Sequence, residues 1–203
     1  MNSSILRNAA ATAVVSLACG GALAATNILT NGDFEQNLGV PNGGYQTVDT
    51  GQNTIVGWSV TGSVDLIRNA YGAINNVSVD LAGTPGGPGA LTQSFAAMAG
   101  YTYRLEWDYF KNGGFGTLAV SVGSQSVNIT SEPGSTVNQF LTFTAPTTDS
   151  YLVSFSTANT GSGGPVVDNI ALTVTAVPEP AEWAMMMAGL GVIGVIAARR
   201  RRV

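Results

Sequence analysis

The sequence predicts an all-β fold, an antiparallel β-sandwich, in the middle of the chain, with an apolar segment at each end. Between residues 27 and 176, short runs alternate apolar with polar residues, which is typical of strands buried on one face. Glycine-rich clusters separate these runs, and no window repeats its apolar residues at helical spacing. The 203 residues are 45% apolar and only 10% charged, whereas soluble domains have about 25% charged residues. Part of the apolar content therefore belongs to segments that meet lipid.

Residues 1–25 are predicted to be a secretory signal peptide. A polar start leads into an apolar run over residues 9–23, and the small residues Ala22 and Ala24 precede an expected cleavage after Ala24. This pattern implies signal peptidase as a partner. A buried N-terminal helix is the alternative, but the glycines that follow Cys19 would interrupt it.

The predicted β-domain covers residues 26–176. In the segment Tyr101–Tyr109 the odd-numbered residues are apolar or aromatic and the even-numbered ones are polar, so one face is expected in the core and the other in water. Similar alternation occurs in Val64–Leu66, Val77–Leu81, Leu118–Val122, Val127–Ile129, Leu141–Phe143, Tyr151–Phe155 and Ile170–Val174. About ten strands with glycine-rich turns between them favour a two-sheet sandwich of the jelly-roll type.

The last segment, residues 177–203, has three parts. Pro178, Glu179 and Pro180 make a stiff, extended stop, and residues 181–198 are predominantly apolar. The chain then carries four consecutive arginines, Arg199, Arg200, Arg201 and Arg202. This order predicts a single transmembrane helix with the arginines on the cytoplasmic side, where they stop transfer through the membrane. The β-domain is then expected outside the inner membrane.

The composition excludes several chemistries. The chain has no histidine, and its only cysteine, Cys19, lies in the predicted signal peptide. A disulfide within the chain, a Cys/His zinc site and a Ser-His-Asp triad are therefore excluded. Residues 27–177 contain three basic against ten acidic side chains, a net formal charge of −7. Such a surface repels nucleic acid.

The three-part tail resembles the PEP-CTERM sorting signal of Gram-negative bacteria that make exopolysaccharide. The resemblance rests on Pro178-Glu179-Pro180, the apolar helix and the arginine-rich end, in that order. It implies that an exosortase, a membrane transpeptidase-like enzyme, cuts near the Pro-Glu-Pro motif, so that the helix is a temporary anchor. It also implies delivery to the cell surface or to a biofilm matrix.

Five short segments of the β-domain carry a second resemblance. They are Asn27–Glu35, Ile55–Val60, Gly62–Leu66, Ser78–Leu81 and Pro165–Ile170. Together they resemble the choice-of-anchor C family, and the chain is similar also to the galactose-binding-like domains of plant cell-wall proteins and to jelly-roll carbohydrate-binding modules. The resemblance implies the jelly-roll fold, on which many functions occur.

The opening and closing motifs of the domain suggest a structural calcium. Asn31, Asp33 and Glu35 alternate along a segment that is expected to be extended, and oxygen ligands suit Ca²⁺. In similar jelly-roll modules the glutamate of the opening motif and the aspartate of the closing strand hold this ion. The resemblance therefore implies Glu35 and Asp168 as ligands, with Asp33 as a third. The alternative is that these carboxylates accept hydrogen bonds from turn backbone.

Exposed aromatic rings are the expected means of binding sugar, because pyranose rings stack on them while polar side chains bond the hydroxyl groups. The ligand-binding candidates lie in glycine-rich loops or on polar strand faces: Tyr45, Tyr71, Phe110, Phe115 and Asn112. Their alternative role is to anchor loops. Trp58 and Trp107 are expected in the core.

Glu106 and Asp108 are the acidic pair whose spacing could serve catalysis. They lie on one face of a predicted strand, about 7 Å apart, a spacing that glycoside hydrolysis can use. Acid catalysis needs a carboxyl group with a raised pKa in an apolar setting, whereas this pair shares a polar face with Arg104. Cross-strand salt bridging or simple solvation of the two carboxylates is therefore expected, and we assign no catalytic residue.

The sequence thus predicts a non-catalytic surface or biofilm-matrix protein whose sandwich binds carbohydrate, with extracellular polysaccharide as the expected partner. The first alternative is a structural or adhesive surface protein without a sugar ligand. The second is a glycoside hydrolase that uses acidic residues. Beyond structural calcium, no cofactor is expected.

Overall fold

The computed structural model describes residues 26–37, 39–175, 186–193 and 199–200. Within these residues the domain forms a 3-10 turn, Glu35–Asn37, and ten strands. The strands are β1 (Tyr45–Asp49), β2 (Ser59–Arg68), β3 (Val77–Asp80), β4 (Gly89–Ala97), β5 (Thr102–Lys111), β6 (Leu118–Val122), β7 (Gln125–Ile129), β8 (Val137–Thr144), β9 (Asp149–Thr157) and β10 (Pro165–Val174). The all-β prediction is confirmed.

The strands form one antiparallel path, in the order β7-β6-β9-β4-β2-β3-β10-β5-β8, with β1 added beside β2. The first residues of β2 pair with β4 and the later ones with β1 and β3, so β2 passes from one half of the fold to the other. Gly62 lies in this crossing strand with φ of 74°, and a Cβ there would lie 2.0 Å from the carbonyl oxygen of Pro88. The crossing therefore requires glycine.

Strand β5 shows how the alternating sequence builds the core. The four inward-facing residues of β5 are at most 6% exposed: Tyr103, Leu105, Trp107 and Tyr109. Tyr101 was expected to share their face, but it precedes the strand and is 43% exposed. The alternation is therefore confirmed within the strand and fails one residue before it.

An aromatic row runs through the middle of the core. Phe155 of β9 packs between Trp58 and Trp107, with ring centroids 6.3 Å and 5.7 Å away. Both tryptophans are buried, which confirms their predicted place. Because each contact joins residues that are distant in sequence, the row fixes how the two halves of the path pack.

The predicted terminal elements lie largely outside the described residues. Those outside are the signal peptide with Ala22 and Ala24, the motif Pro178-Glu179-Pro180, and Arg201 and Arg202. Residues 186–193 are helical and fall inside the predicted transmembrane segment 181–198, and Arg199 and Arg200 are also helical. Within the part of the chain that the structure describes, no helix has the length and apolar character needed to cross a bilayer.

Candidate functional site

Two tyrosines from different elements meet on the protein surface. Tyr45 is the first residue of β1, and Tyr71 lies in the loop between β2 and β3. Their ring centroids are 5.7 Å apart at an interplanar angle of 84°, an edge-to-face arrangement that aromatic pairs favour. The two side chains remain 42% and 47% exposed. Sequence analysis named both as candidates, and the structure brings them together.

The loop that carries Tyr71 is held in an unusual backbone conformation. Asn69 and Tyr71 have φ of 53° and 57°, a left-handed region that asparagine tolerates but bulky residues rarely adopt. Gly72, with φ of 81°, lies so close to β5 that a Cβ would be 2.1 Å from the carbonyl oxygen of Lys111. Such strain persists only where the surroundings impose it, and it is concentrated at functional sites.

Amide side chains surround the base of this loop. The Asn69 side-chain amide donates to Oδ1 of Asn42 at 2.7 Å and to Oδ1 of Asn76 at 3.3 Å. Arg68 Nε also donates to Oδ1 of Asn76, at 2.9 Å. Exposed ring faces beside amide and guanidinium groups are the chemistry with which proteins bind sugar rings and their hydroxyl groups.

Glu35 fixes the far end of the same loop. Its Oε2 accepts a 2.6 Å hydrogen bond from the Asn76 side chain, and its Oε1 accepts one of 2.9 Å from the backbone N–H of Val77. The backbone N–H of Asn69 donates to the carbonyl of Asn76 at 3.0 Å. Tyr71 is therefore carried by a loop that is closed by hydrogen bonds at both ends, and it meets Tyr45 of β1.

The other three ligand-binding candidates do not belong to this pair. Phe110 is half-buried, and its ring contacts the position where a Cβ of Gly72 would lie. Asn112 donates its side-chain amide to Asp80 at 2.8 Å. Phe115 is 3% exposed and packs on Tyr109, so it offers no face to a ligand. The glycines around it suggested an exposed loop, but the ring folds back into the core.

Among the described residues, the three predicted calcium ligands Glu35, Asp168 and Asp33 do not come together as one set. The segment around Asp33 is not extended as expected, because Asn31 and Phe34 have positive φ and Glu35 begins the 3-10 turn. Asp33 is exposed, and its Oδ1 accepts the Glu35 N–H at 3.4 Å. Within the described residues, no three acidic, histidine or cysteine side chains come together as metal ligands do.

Glu35 and Asp168 are close enough for their charges to interact. Asp168 accepts hydrogen bonds from Ser78 Oγ at 3.0 Å and from the Asn169 N–H at 2.7 Å. Both carboxylates therefore already have protein donors, including turn backbone. Glu35 and Asp168 together offer two carboxylates as oxygen ligands for calcium. Calcium binding by this pair stays a prediction.

Three buried carboxyl groups lie along the outward-facing side of neighbouring strands: Asp65, Asp80 and Asp168, each at most 2% exposed. Burial raises the pKa of Asp80 to about 7, and the charge of Asp65 adds to this, although Ala82 N–H, Asn112 and Gly164 N–H donate to the carboxylate. Burial likewise raises the pKa of Asp168 to about 7. Sequence reasoning missed Asp65 and Asp80, because alternation predicts that this face meets water.

Glu106 and Asp108, the acidic pair with a spacing that could serve catalysis, are bonded to neighbouring side chains as structural residues are. Arg104 forms a 2.6 Å salt bridge with Glu106. Asp108 accepts side-chain hydrogen bonds from Asn138 and Asn169, both at 2.8 Å. The bridge to Glu106 lies within β5 and is not the cross-strand bridge that was predicted.

The C-terminal tail matches the PEP-CTERM protein-sorting motif over residues 176–202, which confirms the first resemblance. This motif indicates export and cell-surface sorting in bacteria. No curated protein sequence matches the chain closely enough to count as a relative.

Several solved structures share the fold at low sequence identity. The module TmCBM61, in complex with beta-1,4-galactotriose, has a TM-score of 0.55 at 16% identity over 74% of this chain and 99% of its own. The enzymatically active domain of tailspike protein 4 from bacteriophage CBA120 has a TM-score of 0.53 at 13% identity, over 73% of this chain but 21% of its own. A family 16 carbohydrate-binding module matches at 0.49 and 17% identity, over 72% and 99%.

The two matches with TM-scores above 0.5 establish the fold, which is the jelly-roll type of the TmCBM61 module, and they leave the ligand open. The whole β-domain also matches one family at the level of sequence, over residues 27–173. This match spans most of the chain and includes both the opening motif and the closing strand. The chain therefore belongs to DUF642, a family of proteins of unknown function.

Proposed function

We propose that this protein is sorted to the bacterial surface and there binds a neutral glycan through the Tyr45–Tyr71 pair. The observation that carries the proposal is the exposed, edge-to-face ring pair with Tyr71 in a left-handed backbone conformation. The left-handed conformation of Tyr71 costs folding free energy, and a ring that only anchors a loop would not require this conformation. The shared fold with a galactotriose-binding module supports the same class of ligand.

The sorting motif supports the cellular part of the proposal. We infer that an exosortase of a Gram-negative cell cuts near Pro178-Glu179-Pro180 and releases the β-domain to the exopolysaccharide matrix. The net formal charge of −7 over residues 27–177 favours a neutral rather than an acidic polysaccharide as ligand, because like charges repel. The proposal assigns no catalytic step to Glu106 or Asp108.

Calorimetric titration of the full-length protein with β-1,4-galactotriose tests the binding. The protein is kept in a detergent without a sugar headgroup, so that the solvent does not compete. Tyr71→Ala is expected to weaken binding by about ten-fold or more, because it removes one stacking face. Tyr101→Ala is the matched control, since Tyr101 is equally exposed but lies outside the pair.

Two results contradict this assignment. Equal affinities of Tyr71→Ala and the unmodified protein would remove the tyrosine pair from the site. Absence of binding to galactotriose and to other neutral oligosaccharides would favour the alternative of a structural or adhesive surface protein.

A further inference from the structure

The strand path of this domain ends in two edges that face each other across a cleft. Among the described strands, β7 pairs with β6 alone and β8 with β5 alone. Between them opens an edge cleft of about 410 Å³, lined by residues 127–131, by residues 139–141, and by Trp107 and Tyr109 of β5. This volume falls within the range of about 300–1,000 Å³ that small-molecule sites occupy.

One residue that lines the edge cleft, Trp107, carries a hydrogen-bond donor without an acceptor. Trp107 is fully buried, and within the described residues its Nε1 is the buried side-chain polar atom that lacks a partner. Buried N–H groups are almost always paired, because an unpaired one costs folding free energy. The other core tryptophan, Trp58, follows this rule and donates to the carbonyl of Asn31 at 3.1 Å.

The rim of the edge cleft is polar and unengaged. Gln139 lies directly opposite Trp107 in the β5–β8 register, so the two side chains emerge side by side on one face. Asn128, Thr130 and Ser131 line the opposite side and, like Gln139, are exposed. No hydrogen bond within the described part of the chain involves these four side chains. A buried donor thus lies below a rim of free donors and acceptors.

We propose that the edge cleft is a second carbohydrate site, which binds one neutral pyranose residue of a glycan. A sugar oxygen accepts the Trp107 N–H, hydroxyl groups bond Gln139 and Asn128, and the apolar ring face packs on Ile129 and Leu141. None of the lining residues is charged, so a uronic acid or a phosphate would lose water without gaining a partner.

This inference shares with the proposed function only the class of ligand. The edge cleft uses no residue of the Tyr45–Tyr71 pair, so either site can exist without the other. With both sites filled, one molecule holds two glycan segments and links them. That property is what a matrix protein needs and a single site does not supply.

Nuclear magnetic resonance of ¹⁵N-tryptophan-labelled full-length protein tests the proposal directly. The chain has three tryptophans, and the Trp107→Phe spectrum assigns the Trp107 indole N–H signal. On titration with β-1,4-galactotriose and with cellotriose, as separate probes at millimolar concentration, the Trp107 signal is expected to shift. The Trp58 signal is the internal control, because its N–H already donates to Asn31.

Surface variants carry the test without altering the core. Gln139→Ala is expected to raise the sugar concentration needed for half of the Trp107 shift by roughly five- to ten-fold, the loss of one or two neutral hydrogen bonds. Thr142→Ala is the control, since Thr142 is also an exposed residue of β8 but faces away from the edge cleft. Tyr71→Ala is expected to leave the Trp107 shift unchanged.

The outcomes separate this inference from the proposed function. If neither probe moves the Trp107 signal, or if Gln139→Ala leaves the shift as it was, the edge cleft is not a sugar site. If Tyr71→Ala abolishes the Trp107 shift, the two sites are not separate and the inference fails. A Trp107 shift in a protein whose affinity is insensitive to Tyr71→Ala supports the edge cleft and contradicts the tyrosine pair.

Discussion

The buried carboxyl group of Asp80 predicts an unusual dependence of stability on pH. Its pKa is raised from 3.8 to about 7, so the folded protein keeps this proton at pH values at which the unfolded chain has released it. The stabilisation is fully present below about pH 4 and is lost as the pH rises towards 7. For one group this amounts to about 1.4 kcal/mol per pH unit, or on the order of 4 kcal/mol in total.

Asp168 has its pKa raised to about 7 by the same cause, so the two groups act together. We therefore expect the free energy of unfolding to fall by as much as about 3 kcal/mol per pH unit between about pH 4.5 and about pH 6.5. Urea denaturation of the full-length protein, followed by tryptophan fluorescence at several pH values, measures this slope.

The variant Asp80→Asn isolates one of the two contributions. An amide oxygen can still accept from Asn112 and from Gly164 N–H, but the amide nitrogen leaves Ala82 N–H without its acceptor. Absolute stability should therefore drop by about 1–3 kcal/mol at low pH, while the slope falls to about half.

Asp149→Asn removes an exposed carboxylate, keeps both buried groups and serves as the control with the full slope. Stability that rises with pH over this range, or equal slopes in Asp80→Asn and the unmodified protein, would refute the reasoning.

Three further predictions concern the metal, the crossing strand and the processed ends. If Glu35 helps to hold calcium, EDTA lowers the melting temperature of the unmodified protein and has no such effect on Glu35→Gln; an unchanged melting temperature in both argues against the ion. Gly62→Ala should lower the free energy of unfolding in urea by more than about 3 kcal/mol, because its Cβ would meet the Pro88 carbonyl. The control Gly43→Ala, also at positive φ but in open space, should cost about 1–2 kcal/mol. Equal costs for the two variants would count against the steric explanation. Mass spectrometry of secreted and cell-bound fractions should find a mature C-terminus near residues 178–180, and an intact tail on surface-exposed protein would exclude exosortase release.

The sequence was sufficient to predict the elements whose burial follows a local rule. In β5 the alternation alone identified Leu105 and Trp107 as core residues, because each strand residue faces opposite to its neighbours. The polar pair Glu106 and Asp108 was correctly placed on the other face. These predictions were correct because one face of β5 packs into the core and the other lies on the outer side of the sandwich.

Burial that arises from distant loops could not be predicted. Asp80 lies on the face that alternation assigns to water, but the segments that bring Asn112 and Gly164 cover it. Phe115 was expected to be exposed because glycines surround it in its loop, and only the packing against Tyr109 places its ring in the core. Local sequence contains no signal for contacts of this kind.

The meeting of Tyr45 with Tyr71 depends on register and on a turn. Tyr45 pairs with Ile67 in the β1–β2 ladder. Ile67 precedes Tyr71 by four residues in the sequence, near the point where the chain leaves β2. The left-handed conformations of Asn69 and Tyr71 then fold the loop back towards β1. Sequence analysis found both side chains as separate aromatics, because pairing register is set by the whole sheet.

Two carboxylates, Asp65 and Glu35, explain how the β-domain, which contains no cysteine, can hold such a pair in place. Asp65 accepts the hydroxyl of Thr47 at 2.7 Å and so fixes the strand that begins with Tyr45. Glu35 accepts from Asn76 and so fixes the loop that carries Tyr71. A hydrogen bond to a carboxylate stabilises more than one between neutral groups, and a ring pair that is ordered before binding loses less entropy when a ligand arrives.

These ties give part of the acidic composition of the domain a structural role. Carboxylates that accept several backbone and side-chain donors do at the outer face what disulfides do in many small exported proteins. The burial of Asp80 and Asp168 raises their pKa values to about 7 and makes the stability of the fold depend on pH. The pH slope of stability and the order of the ring pair therefore come from different carboxyl groups: Asp80 and Asp168 give the slope, whereas Asp65 and Glu35 hold the elements that carry the pair.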